Sequence, residues 1–197
     1  MQKTILIIGT YDTKDPELNF VAETIRRMGG AVVEMDVSVL GDPSRPVTIV
    51  TVMGGPQSWM EKCDVICMNR YWGWYVLGGE LDKARIALEQ ELDQTYAMWR
   101  RPIIVTEFGA DTIPGMHGHP SVMWTEEYQA DFIRFHLEVA AARDFVAGMH
   151  VWNFADFAAV QSIARVAGLN HKGVFTRTRT PKMAAHVLRE FWLQSPA

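Results

Sequence analysis

The stretch LDKARIALEQELDQTYAMWRRPIIVTE, residues 81–107, decides the class of the fold. Leu81, Ala84, Leu88, Leu92, Tyr96 and Trp99 recur at three- and four-residue spacing, which lines them along one face of a long helix. Pro102 cannot continue that helix, and the IIVTE run behind it has the length and the β-branched content of a buried strand. A helix feeding directly into a buried strand is half of a βαβ crossover. Right-handed crossover makes the strands so joined parallel.

The same alternation extends outward on both sides. Toward the N-terminus, DVICMN (64–69) and VTIVTVM (47–53) read as strands separated by a Gly-Gly-Pro loop. Further back, KTILII (3–8) forms a strand ending at Gly9, and AVVEMDV (31–37) forms another. Between them Asp15 caps a helix with Pro16 at its first position and Gly29 past its end, burying Leu18, Val21, Ala22, Ile25 and Met28. Toward the C-terminus, Glu126 and Glu127 favour the positive start of a helix that buries Tyr128, Phe132, Phe135 and Val139. AGMHVWNF (147–154) gives a sixth strand, and Thr180 and Pro181 open a last helix with Ala184, Val187, Leu188 and Phe191 inward. LGDPSRP (40–46) is the one composition shift that suggests a seam.

Six strands with crossover helices predict an α/β fold with a parallel sheet covered on both faces. A closed eight-stranded barrel takes about 250 residues and at least about 200. The 197 residues supply too few units for that. The sheet is open, or the barrel is incomplete, or two chains complete each other, since an unfinished sheet edge invites a partner chain.

Composition narrows the function classes. With 19 Lys+Arg against 23 Asp+Glu, the net charge of -4 leaves no basic stripe for nucleic acid. No apolar run approaches the roughly 20 residues of a membrane span, and MQKTILIIGT is too short and too poorly flanked for a signal peptide. Cys63 and Cys67 have no second ligand pair beside them, so no metal is expected; they read as reduced, mostly buried thiols of a cytoplasmic protein. Seven Trp is a high count, and aromatics are costly to expose without a role in core or recognition.

In parallel α/β folds the reactive groups gather at the C-terminal strand ends. Three such ends carry polar and aromatic residues together: Asn69-Arg70-Tyr71-Trp72-Gly73-Trp74-Tyr75, Thr106-Glu107-Phe108-Gly109, and Trp152-Asn153-Phe154-Ala155-Asp156. A carboxylate ringed by Tyr and Trp suits a sugar, whose C–H faces stack on rings while the carboxylate meets positive charge developing at the anomeric carbon. A retaining glycosidase needs such a nucleophile and a second carboxyl about 5–5.5 Å away. Plainer readings stand beside this one. A strand-terminal Glu is most often solvated or capping a helix, the NRYWGWY segment reads equally as a packed aromatic loop, GLNHKG (168–173) reads as an exposed turn, and His117 and His119 read as solvated.

From about Asp42 to Trp192 the chain resembles the C-terminal part of the barrel of β-glucuronidases, glycoside hydrolases of family 2. The likeness rests on DPSRPVT, DVICMNRYWGWYV, RRPIIVTEFGADT, MWTEEYQ, HVWNFADF, LNHKGVFTRTRTPK and AAHVLREFW, which look like the fifth to eighth βα units. The resemblance implies a partial TIM barrel, a glucuronide as small-molecule substrate, and no cofactor. It makes Glu107 the nucleophile, held by Tyr71, with Asn69 and Tyr75 lining the sugar subsite and Trp152 beside it. Asn170 and Lys172 would grip the glucuronate carboxylate, with Arg165 as a further cation. An unpaired buried cation would disfavour a neutral sugar at that position.

The family places its general acid/base Glu after an Asn, and no Asn-Glu pair occurs in the sequence. The sugar-binding and immunoglobulin-like domains that precede the barrel have no counterpart either. Residues 1–41, through IIGTYDTKDPELNFVAETIRRMG and VVEMDVSVLG, resemble instead the start of the tobamovirus-resistance-protein-like ATP-binding family, with Gly9, Thr10, Asp12 and Thr13 as its first strand-end loop. The expectation is a chimera: a βαβ unit over 1–41 joined at 40–46 to a half barrel over 42–197. The nucleophile is kept, the acid is lost, and activity is weak or absent. In that arrangement the second strand would neighbour the fifth barrel strand, bringing Glu34 or Asp36 toward the site as a replacement acid. The alternative is a non-catalytic α/β scaffold that binds glucuronate or nucleotide weakly at most.

Overall fold

The computed structural model describes residues 4–9, 11–36, 46–52 and 57–194. Strand β1 (Thr4–Gly9), helix α1 (Tyr11–Arg27) and strand β2 (Ala31–Asp36) open the chain. The helical path breaks at Lys14, directly before the Asp15-Pro16 pair, so the helix starts four residues ahead of the expected cap and is kinked there. Asp15 accepts a hydrogen bond from Asn19 one turn on, at 2.7 Å. Next come β3 (Val50–Thr51), a 3-10 turn (Ser58–Lys62), β4 (Ile66–Asn69), α2 (Leu81–Trp99), β5 (Ile103–Phe108), α3 (Glu126–Ala141) and β6 (Val146–Val151). A two-stranded antiparallel piece, β7 (Phe157–Ala158) with β8 (Leu169–Asn170), precedes α4 (Met183–Gln194).

The parallel strands fall into two sheets. β3, β4, β5 and β6 are hydrogen-bonded in that order, all parallel, and among the described residues β1 pairs only with β2. This is the expected half barrel of four successive strands. The expected pairing of the second strand with the fifth barrel strand is not made: among the described residues β2 bonds to β1 and β3 bonds to β4. Strand pairing is long-range, and nothing local in the apolar pattern of β2 selects its neighbour. The suggested joint at 40–46 lies almost wholly outside the described residues. The expected strand over 47–53 is only two residues long, and the short antiparallel pair was not foreseen.

α2 covers the sheet through Ala84, Leu88 and Leu92, all fully buried. It ends where Arg100 adopts a left-handed conformation, its N–H donating to the Tyr96 carbonyl at 2.8 Å, with Pro102 two residues on. α3 starts at Thr125, whose side chain accepts from the Tyr128 N–H, and presents Tyr128, Phe132, Ile133 and Phe135 to the same core. The two acidic residues of its first turn do more than complement the dipole. Glu126 accepts from the N–H of Gly115 and of Met183, both at 2.8 Å, and Glu127 from His117 at 2.8 Å. One hydrophobic core runs from Met60 to Leu188, with Val187 and Phe191 of α4 at its margin. Among the described residues it includes none of β1, α1 or β2, where Ile5, Phe20, Val21, Met28 and Val33 are exposed.

Candidate active site

Because β4, β5 and β6 are parallel and adjacent, their C-terminal ends lie on one edge. The register pairs Asn69 directly with Glu107, and the Arg70 N–H donates to the Glu107 carbonyl at 2.7 Å. The segment after β4 is pinned by a buried ion pair. Arg70, 1% exposed, donates from Nε to Glu91 Oε2 of α2 at 2.8 Å and from Nη1 to the carbonyls of Thr51, Val52 and Asn69. Trp72 Nε1 donates to the same Glu91 oxygen at 2.8 Å. The residue after Arg70, Tyr71, is buried beside that anchor. The Tyr71 hydroxyl donates to Glu107 Oε2 at 2.6 Å. Burial, and then this carboxylate acceptor, hold the Tyr71 hydroxyl well above its ordinary pKa, so it stays a donor. Thr106 donates to Asn69 Oδ1 at 2.7 Å, leaving the Asn69 amide N–H2 as the end available to a ligand.

The NRYWGWY segment is both a packed loop and a wall. Tyr71 and Trp74 are buried, and Trp74 packs edge-on against Trp124 with centroids 5.1 Å apart. Tyr75 remains 51% exposed and meets Tyr71 edge-on at 5.1 Å.

The cations converge on Tyr75. Lys172 Nζ donates to the Tyr75 hydroxyl at 3.0 Å, and Arg165 Nη2 donates to the same oxygen at 3.2 Å. Lys172 Nζ also lies over the rings of Tyr75, Trp74 and Tyr71 at 4.7, 5.3 and 5.8 Å. The segment Asn170-His171-Lys172 is buried throughout, so the exposed-turn reading of GLNHKG is overturned. The reason is a pair of acids distant in sequence. Asp111, fully buried, accepts from the His171 N–H at 2.8 Å and forms an ion pair with Lys172. Asp156 accepts from the Gly173 N–H at 3.0 Å and from Lys182 Nζ at 2.8 Å. Burial lowers the Lys182 pKa, and Asp156 offsets part of that. Asn170 Oδ1 accepts from the Lys172 N–H at 3.1 Å, which leaves the Asn170 amide N–H2 as its remaining donor.

Trp152 joins the group through its backbone. Its N–H donates to the Phe108 carbonyl at 2.8 Å, and the following Asn153 N–H donates to the Lys172 carbonyl at 3.1 Å. Its ring is 36% exposed and packs edge-on against Phe157, 6.2 Å between centroids. Gly109 allows this approach, since a Cβ there would overlap the Trp152 carbonyl oxygen.

Asn69, Tyr71, Tyr75, Glu107, Arg165, Asn170 and Lys172 thus form one connected group, with Trp152 at its rim. Sequence reasoning missed Asp111, Glu91 and Asp156 as its supports. The signal available was the acidic residue four positions after Glu107. Glu34 is elsewhere: it is paired with Arg26 of α1 within the N-terminal unit. The side chain of Asp36 lies outside the described residues. Among the described residues no hydrogen bond or ion pair joins Glu107 to a second carboxyl. Cys63 and Cys67 are buried and form no disulfide, burial raising the Cys67 pKa, and among the described residues no helix is long and apolar enough to cross a membrane.

Residues 31–195 match the family model for the TIM-barrel domain of family 2 glycosyl hydrolases, and residues 3–54 match the N-terminal domain of an uncharacterised protein family, UPF0261. A β-glucuronidase of Paenibacillus borealis is 43% identical over 189 residues, covering 92% of this chain and 28% of its own length. The human β-glucuronidase is 44% identical over 155 residues, 77% of this chain and 24% of its own. Among solved structures, the β-D-glucuronidase of Dictyoglomus thermophilum superposes with a TM-score of 0.72 at 42% identity, over 98% of this chain and 32% of that one. The Bifidobacterium dentium β-glucuronidase complexed with coumarin-3-O-glucuronide gives 0.74 at 40%, over 93% and 28%. The chain therefore spans about a quarter to a third of the length of these relatives.

Proposed function

The chain belongs to the family 2 glycosyl hydrolases through their TIM-barrel domain, and from that premise we propose that it carries the nucleophile half of a retaining β-glucuronidase site. The observation that supports this most directly is the Tyr71 O–H donating to Glu107 at 2.6 Å beside Tyr75, whose hydroxyl accepts from Lys172 and Arg165. Glu107 would attack the anomeric carbon and form a glycosyl ester, while Tyr71 fixes the attacking carboxylate and leaves its other oxygen to react. The Tyr75 hydroxyl already accepts from two cations, so its own proton is directed outward. That O–H, with the Arg165 and Lys172 donors and the Asn170 amide, forms a receptor for a carboxylate and hence for a uronate. Trp152 would stack on the sugar and Asn69 would donate to a ring hydroxyl.

Protonation of the leaving oxygen is the missing part. General acid catalysis contributes typically 10²–10⁴-fold, and with no Asn-Glu pair in the sequence an ordinary glucuronide would turn over weakly or not at all. An aryl glucuronide with a good leaving group needs no acid to form the ester. With p-nitrophenyl glucuronide we expect one burst of nitrophenol per active chain, abolished in Glu107→Gln. Equal release by both proteins would remove Glu107 from the chemistry.

The separation of the β1–β2 sheet supports a second reading, a chimeric and non-catalytic α/β scaffold in which residues 1–41 are a borrowed unit of the tobamovirus-resistance-protein-like ATP-binding kind and 42–197 the barrel fragment. A nucleotide-dependent shift in melting temperature tests the borrowed site. Among the described residues β3 and β6 end the four-stranded sheet, which supports a second copy completing it, tested by the mass in solution. The two buried, unpaired cysteines suit a reducing compartment such as the cytoplasm.

A further inference from the structure

Asp111 is the carboxylate that faces Lys172 and Arg165. It is fully buried, and its Oδ2 is the counter-ion of Lys172 and lies 3.5 Å from Arg165 Nη1. Its Oδ1 is engaged separately, accepting the His171 N–H at 2.8 Å. Lys172 is itself 1% exposed and walled by the rings of Tyr71, Trp74 and Tyr75, so the ammonium has no solvent to fall back on. Asp111 is thus ion-paired with both Lys172 and Arg165.

Building on the uronate reading of this site, we propose that Asp111 is a positioning residue that sets uronate affinity by competing with the incoming carboxylate for the Lys172 ammonium. In the empty site Asp111 keeps Lys172 paired and the loop after β8 folded. When a uronate arrives, its carboxylate must share an ammonium already neutralised, so part of the available attraction is forgone. A neutral sugar makes no such demand and is indifferent to Asp111. The residue thus trades ligand affinity for a stable empty site.

Asp111→Asn tests this, because the amide oxygen can still accept the His171 N–H while the charge is removed. In the full chain we expect a lower melting temperature without ligand. By calorimetry we expect about tenfold or greater tightening for glucuronic acid, with no change for glucose. Asp111→Glu, which keeps the anion, should bind glucuronic acid as the unaltered protein does. Equal or weaker glucuronic acid binding by Asp111→Asn overturns the proposal, and so does equal tightening in Asp111→Glu. Should Asp111→Asn be unfolded when empty, titration with glucuronic acid followed by circular dichroism reads the same competition: recovery with glucuronic acid and not with glucose supports it, and no recovery overturns it. An unaltered protein that does not prefer glucuronic acid to glucose removes the uronate reading itself. An unaltered protein with that preference beside an unresponsive Asp111→Asn removes only the role of Asp111.

Discussion

His136 makes no contact with the site's polar groups, yet its ionisation bears on folding. Its imidazole is fully buried on α3, stacked on Phe132 and Phe108 and tilted against Phe135, with one ring nitrogen donating to the Phe132 carbonyl at 2.9 Å. Burial drives its pKa down to about 3. In the unfolded chain a histidine titrates near 6.5. Between those two values the unfolded state holds a proton that the folded state refuses, so stability falls as pH falls through that window and is intact above it. We predict that His136→Leu flattens the dependence of melting temperature on pH between about 6.5 and 4 relative to the unaltered protein. Parallel curves for the two would mean that other groups set the acid response. Tyr71→Phe acts at the same scale: losing one hydrogen bond to a charged acceptor removes about 1.5–3 kcal/mol. The nitrophenol burst should then slow by about tenfold or more, with little change in glucuronic acid affinity. An unchanged burst rate would argue that Tyr71 does not hold the reacting carboxylate.

Among the elements, the loop that carries Asn170 and Lys172 shows how far a sequence can be read. The long helix and its following strand, residues 81–107, were legible because their apolar spacing is local. Glu107 was legible as a strand-end carboxylate. The burial of His171 and Lys172 was not, because it depends on Asp111 and Asp156, some 60 and 15 residues away in the chain, whose charges make burial of the loop tolerable. By its own composition GLNHKG is a turn, and only the family resemblance pointed the other way. The neighbour of β2 was equally hidden, since a β-branched strand can pair on either edge. The loop's packing has a sharp test at Gly173, where a Cβ would overlap the backbone of Asp156 and Ala155. We predict that Gly173→Ala costs on the order of 3 kcal/mol, read as a lower urea midpoint, together with loss of glucuronic acid binding. A variant with unaltered stability would show that this segment yields easily.

At the scale of the whole molecule, the four-stranded sheet and its helices own the hydrophobic core, and the β1–α1–β2 unit lies outside it. Among the described residues its strands bond to each other, and Phe20 and Met28 are turned to solvent. A unit that shares no side chain with the main core need not melt together with it. Calorimetry should resolve a minor low-temperature transition ahead of the main one, and amide exchange should release β1 and β2 well before β4 and β5. A single cooperative transition with uniform exchange would mean that the two sheets are energetically one. If they are not, the N-terminal crossover is free to diverge, be exchanged or be shed, with selection on the barrel strands barely registering the change.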